Sequence, residues 1–210
     1  MVCFLAFAVG SWMAVAQAQA QTTPSAEPSQ RLELGGRFSV AAPIGDGWRK
    51  TGEPASYIKV LGPEHHSLIL AASTGPSGIT REDISGFREP GGVERMIKLM
   101  ARFSEMAWKA HAAGLEGSRF EAVEKENEVG KKYEIGKFIC TYSRIVVRDR
   151  AAVVDGVPAK LRYVAYSCLE FPDMREAATV SYSERGREQD LSDDAMAEGE
   201  RFARSLERTK

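Results

Sequence analysis

Cys140 and Cys168 are the residues whose type and surroundings point to one definite reaction, the oxidation of two thiols to a disulfide. Cys140 sits in Phe138-Ile139-Cys140-Thr141-Tyr142-Ser143-Arg144-Ile145-Val146-Val147, and Cys168 in Leu161-Arg162-Tyr163-Val164-Ala165-Tyr166-Ser167-Cys168-Leu169. Both arms are rich in β-branched and aromatic residues, the composition of strands. Between them lies Asp155-Gly156, a favoured turn pair because glycine tolerates positive φ and aspartate caps its own turn. Folding the arms back brings Cys140 near Cys168, and directly opposed residues of an antiparallel pair have a Cα spacing that a disulfide tolerates. The competing reading is two separate buried thiols behaving as small hydrophobes.

The other reactive side chains form weaker constellations. The histidines are His65, His66 and His111. His65 and His66 are adjacent, so on a strand they point to opposite faces and cannot chelate one ion together. His111 falls near the end of a helical stretch, where the dipole favours a cation. Glu124, Glu126 and Glu128 put three carboxylates on one strand face. That pattern reads as a solvated edge that discourages strand pairing, with cation binding as the alternative. Ser183-Glu184-Arg185 is polar and follows a strand, but carries no chemistry by itself. The chain holds no Gly-x-Ser-x-Gly, no Gly-x4-Gly-Lys, no Gly-x-Gly-x-x-Gly and no Cys-x-x-Cys. The expectation is therefore a non-enzyme with no catalytic residues, no metal site and no cofactor.

Residues 1–20 contain no Lys, Arg, Asp, Glu or His, and residues 2–15 are almost wholly apolar. Ala16-Gln17-Ala18-Gln19-Ala20 supplies two overlapping Ala-x-Ala sites. This is the pattern of a secretory signal peptide cut after Ala20 or Ala18. The apolar run is short for a bilayer-spanning helix, which argues against the alternative of an uncleaved anchor. Cleavage would remove Cys3 and leave an even pair of cysteines in an oxidising compartment, which favours the bridge. The expected organisation is a signal peptide at 1–20, a disordered linker at 21–30 and a single domain at 31–210. The expected location is periplasmic or secreted, with no stable membrane span after leader cleavage. A hydrophobic fraction of 43%, a charged fraction of 27% and a formal net charge of -1 over 210 residues fit one ordinary globular domain. That balance gives no field of one sign, so nucleic acid is not an expected partner.

Several elements must position these residues. Residues 31–42 alternate through Leu32, Leu34, Phe38 and Val40 around Gly35-Gly36, which reads as a strand pair or a bulged first strand. Trp48 closes a turn and is expected as a core plug. Strands are expected at 56–61 and 67–74, the second near the middle of the sheet and covered on both faces. Thr80-x-x-Asp83 has the form of a capping box for a short helix. Val93, Met96, Ile97, Met100, Phe103, Ala107 and Ala110 recur at helical spacing and predict an amphipathic helix over 93–113. Period-two segments follow at 115–128, 133–147, 159–171 and 177–184. Ser192 is placed to cap a last helix over 193–207, with Asp193 and Asp194 set against its dipole.

The order of these motifs resembles one known superfamily. Gly36-Arg37-Phe38-Ser39-Val40 is followed by Pro43 and Gly47-Trp48, then by strands and the amphipathic helix. Next come Cys140-x-Tyr142, Cys168-x-x-x-Pro172, Tyr182-Ser183-Glu184-Arg185 and a closing helix ending Phe202-Ala203-Arg204-Ser205-Leu206. In this order the chain resembles the PsbP-like superfamily. The resemblance implies an α+β fold, an antiparallel β-sheet flanked by helices in a PsbP-like α/β/α sandwich, and non-enzymatic work as an accessory subunit or adaptor. It carries over no site residue. The function expected is that of an exported binding or accessory protein acting through protein–protein contacts, its partner another envelope or secreted protein. Two alternatives stand beside it: a small-ligand carrier, and a periplasmic metal-dependent hydrolase built on His65 or His66 with carboxylates.

Overall fold

Period-two alternation dominates the structure, a computed structural model that describes residues 30–52, 54–63, 65–85, 91–115, 119–129, 133–170 and 173–209. The expected leader, its cleavage positions Ala18 and Ala20, and nearly all of the expected linker lie outside the described residues. Among the described residues ten strands form: β1 (Arg31–Leu34), β2 (Phe38–Ala41), β3 (Trp48–Gly52), β4 (Ala55–Val60), β5 (Ser67–Pro76), β6 (Phe120–Val129), β7 (Phe138–Val154), β8 (Val157–Glu170), β9 (Glu176–Gly186) and β10 (Glu207–Arg208). Three α-helices accompany them: α1 (Arg81–Ser85), α2 (Gly92–Leu115) and α3 (Asp193–Arg204). The strands make a seven-stranded sheet ordered β3-β4-β5-β9-β8-β7-β6 and a three-stranded sheet ordered β1-β2-β10, all pairs antiparallel.

The α+β expectation, with its α/β/α sandwich, is overturned by this architecture. The fold is mostly β, with two antiparallel sheets and only three α-helices among the described residues. The physical reason lies in two polar segments. Trp48–Gly52 has no apolar alternation and is largely exposed, yet it pairs along β4 as an edge strand. Glu207, expected as the end of the last helix, instead joins Arg208 in a strand that pairs with β2, so the two ends of the domain build a second sheet.

The hairpin of β7 and β8 is the longest local unit. Asp155 and Gly156 take φ of 51° and 78°, the two positive values that a type I′ turn needs. Cys140 lies opposite Cys168, and the two form a disulfide with Cα atoms 4.0 Å apart. Both cysteines are fully buried in the largest apolar cluster, which β1, β2, the seven-stranded sheet and α3 share. On the opposite face of the sheet, α2 buries Leu99, Met100 and Phe103 against Leu169, Met174 and Ala177. The α2 stripe is rotated from the expected one, for Ile97 is 64% exposed and Ala110 is also exposed. β5 is interior in strand order but covered fully on one face only, since Ile69 and Ala71 remain half-buried. Thr80 and Asp83 do make the reciprocal capping pair, with Thr80 N–H donating to Asp83 Oδ2 at 2.9 Å and Asp83 N–H to Thr80 Oγ1 at 3.2 Å.

Two buried carboxylates tie elements together. Glu184, with no exposed surface, accepts from the Ser192 N–H at 3.0 Å, from Arg162, and lies 3.1 Å from His66 Nε2. It thereby fastens the start of α3 to β8, β9 and the β4–β5 connection. Asp149 receives a two-pronged contact from Arg119 at 2.9 and 2.8 Å and one from Arg185 at 3.3 Å. Burial pushes the Asp149 carboxyl up, but the Arg119 guanidinium outweighs it and leaves the group below the usual carboxylate range. No helix of the described residues is long and apolar enough to cross a membrane.

The disulfide closes a separation of 28 residues, for which the chain-entropy argument gives about 3.5 kcal/mol. The double variant Cys140→Ala/Cys168→Ala should lose about 3 kcal/mol in chemical denaturation. Peptide mapping of the unfolded, unreduced protein should find neither cysteine alkylated. Free labelling of both would remove the bridge from the account.

Candidate functional site

The hairpin register carries the next feature. Two residues beyond Cys140 and two before Cys168 on the same face stand Tyr142 and Tyr166, direct partners across β7 and β8. Tyr182 of β9 lies on that face as well, opposite Val164. Tyr133, from the turn before β7, stacks on Tyr142 with centroids 4.7 Å apart and planes 4° from parallel. Tyr142 and Tyr166 meet at 5.5 Å and 57°, so the rings form two walls of a corner. Met196, Ala197 and Glu200 of α3 face them, and Glu126 of the edge strand β6 completes the lining. The result is an open groove of about 390 Å³.

Polar chemistry in the groove is organised by Glu200. Its Oε2 accepts hydrogen bonds from the hydroxyls of Tyr166 and Tyr182, each at 2.7 Å, while Oε1 lies 2.7 Å from Arg204 Nε. Burial, reinforced by hydrogen bonding to Glu200, raises the pKa of both phenols. Tyr142 is raised too, by burial first and then by the charge of Glu126. Tyr133 donates its hydroxyl to Glu128. The phenols of Tyr142, Tyr166 and Tyr182 stay neutral at ordinary pH, so they offer ring faces and fixed donors but no phenolate nucleophile.

The position of α3 over the rings depends on its first turn and its middle. Ser192 caps the helix by accepting from the Ala195 N–H at 3.1 Å, as its place before Asp193 predicts. Gly199 lets the helix approach the sheet, since a Cβ there would stand 2.4 Å from the Tyr182 ring. Trp48 packs on the core and donates its ring N–H to Glu198 at 3.1 Å, so it serves this helix as well as the core.

A second polar cluster lies beneath α2. His111 Nε2 is 3.2 Å from Ser167 Oγ, and His111 Nδ1 is 3.2 Å from the Tyr163 hydroxyl. Ser167 in turn is 3.2 Å from Thr179 Oγ1. A serine beside a histidine is the geometry of an activated nucleophile. Here Ser167 is 3% exposed and sits under the helix, which leaves no place for a substrate. The expectation that His111 is a dipole-favoured cation is corrected: burial pulls its pKa down to about 4, so the ring is neutral and serves packing.

The remaining sequence candidates disperse. His65 is exposed, with φ of 72°, in the β4–β5 connection, and His66 turns to the Glu184 staple. Neither lies on a strand. Among the described residues no group of three or more His, Cys, Asp or Glu is placed to hold a metal ion. β6 is an edge strand of the larger sheet, as the run of glutamates predicts, but its carboxylates divide their work. Glu124 pairs with Arg144 at 3.0 Å, Glu128 takes the Tyr133 hydroxyl, and Glu126 faces the groove. The tyrosine groove was not anticipated from sequence. Its signal was the period-two offset of Tyr142 and Tyr166 from the two cysteines.

Gly199→Ala should drive the Tyr182 ring from its place and lower stability by about 1–2 kcal/mol, despite the better helix propensity of alanine. Unchanged or higher stability in denaturant would show that α3 does not press on the sheet there. The half-buried, desolvated His111 sets a pH dependence whose sign is definite. Between about pH 6.5 and 4 the unfolded chain binds a proton at His111 that the folded chain refuses. Stability therefore falls as pH drops through that window, by up to about 1.4 kcal/mol per unit from this one group. His111→Gln should flatten that slope relative to the parent; identical slopes would place His111 in water. Comparison of the chain with protein-family models and with curated proteins finds no match in either case.

Proposed function

We propose that this protein is an exported, non-enzymatic binding protein whose recognition element is the tyrosine groove between α3 and strands β6 to β9. The observation that carries the reading is the corner of four tyrosine rings, two of whose hydroxyls are held by one carboxylate. Such rings give rigid amphipathic contact at low entropic cost, and their raised pKa values suit donation rather than proton abstraction. A volume of about 390 Å³ matches a small ligand or one projecting side chain of a partner.

A broad apolar docking face has less support. The large exposed apolar residues Ile44, Val60, Ile97, Val123, Val153 and Val157 are spread over the β2–β3 connection, β4, α2, β6 and the hairpin tip. Singly scattered residues of this kind are ordinary on a protein surface. The PsbP-like resemblance implies accessory work of the same general kind, but the sandwich it implies is not the fold found, so the groove and not the resemblance supports the reading. Export is supported by the apolar, charge-free residues 1–20 and by the disulfide, a bond typical of oxidising compartments.

An NMR screen of the full chain with a chemically mixed fragment set tests the reading. Binders should perturb Tyr133, Tyr142, Tyr166 and Tyr182 together and be recovered chemically unchanged. Binders that all map elsewhere, or fragments that are turned over, would contradict it.

A further inference from the structure

We infer that the groove takes an alkylammonium cation, a methylated or quaternary nitrogen seated against the tyrosine faces; this rests on the groove being the recognition element. Among the described residues around it, Glu124, Glu126, Glu128 and Glu200 bring four carboxylates, and Arg144 and Arg204 two guanidinium groups. Arg144 is engaged by Glu124 at 3.0 Å and Arg204 by Glu200 at 2.7 Å. Glu128 is engaged by Tyr133. Glu126 lines the groove with no hydrogen bond or ion pair among the described residues. Among the described residues the uncommitted charge at the groove is thus negative.

The walls decide which cation. Tyr133 and Tyr142 stack face to face, Tyr166 closes the corner at 57°, and Met196 stands across from them on α3. A cation over a tyrosine face is attracted by the ring quadrupole, and quaternary ammonium ligands are bound in this way by aromatic cages in general. A small, hard metal ion needs several free oxygens. Here Oε2 of Glu200 is already occupied by two phenol donors and Oε1 by Arg204, and the phenols are held in their neutral form. Tyr142 is half-buried, while Tyr133, Tyr166 and Tyr182 are 6%, 3% and 6% exposed and stand behind it, so a large, weakly hydrated head bearing methyl groups meets chiefly the Tyr142 ring, a thioether and one uncommitted carboxylate.

The test is an NMR or calorimetric titration of the full chain with choline and with its neutral isostere 3,3-dimethyl-1-butanol. Choline should bind about tenfold more tightly than the alcohol and shift the four groove tyrosines. Tyr142→Leu should weaken choline binding about tenfold, while Tyr142→Phe, which keeps the ring, stays within about twofold of the parent. Glu126→Gln, an isosteric change on an edge strand, should weaken choline several-fold and leave the alcohol unaffected. It keeps the inference testable if Tyr142→Leu fails to fold. Equal or tighter binding of the alcohol, or insensitivity of choline to Glu126→Gln, overturns the inference. Neutral or anionic fragments that map to the groove where choline does not would overturn the cation alone. A groove that no fragment reaches would overturn the recognition element as well.

Discussion

The register of the β7–β8 hairpin is the constraint on which the rest depends. A slip of one residue would send every side chain of a strand to the other face. Two devices hold it: a turn in which Asp155 and Gly156 both take positive φ, and the covalent bond between Cys140 and Cys168. With Cys140 opposite Cys168, Tyr142 must stand opposite Tyr166. The disulfide is thus connected to the groove by geometry, since it fixes the row of rings that walls it while remaining buried in the core beneath.

The second wall of the groove is a helix, and short helices need tertiary anchors. α3 has them at three levels. Glu184 holds its first turn through the Ser192 N–H, and Arg162 reaches both Glu184 and Asp193. Gly199 permits close contact with Tyr182, and Glu200 takes two tyrosine hydroxyls from the sheet. A buried carboxylate with several donors is stable only as a set, because removing one partner leaves the others desolvated and unpaired. Glu200 has both a structural and an electrostatic part: it locks the rings and contributes negative charge beside them.

How much of this was legible in sequence differs by element. The hairpin, the disulfide, the Thr80/Asp83 capping pair and the Ser192 cap follow from short-range chemistry and are readable in consecutive residues. β3 and β10 are not, because their residues are mostly polar and form strands only through a neighbour's unpaired edge. Their addition turned an expected α+β sandwich into a mostly β fold with two sheets. Ile97 fits the apolar period of α2, yet it lies outside the face that meets the sheet. At His111 helical position points to a cation, whereas the desolvation beside Tyr163 and Ser167 of β8 depends on tertiary packing that consecutive residues do not reveal. The groove was half legible: the cysteines give Tyr142 and Tyr166, but Tyr133, Tyr182 and Glu200 come from elements whose approach only the fold determines.

We propose that a covalently fixed hairpin sets an aromatic corner that takes a soft cation in an exported protein. That proposal is tested most directly by NOE measurements on ring-labelled tyrosines with tetramethylammonium added. The account predicts contacts between the rings of Tyr133 and Tyr142 and of Tyr142 and Tyr166, together with contacts from the cation's methyl protons to those same rings. Inter-ring contacts without any from the methyl groups, or no contact between Tyr142 and Tyr166 at all, would contradict it.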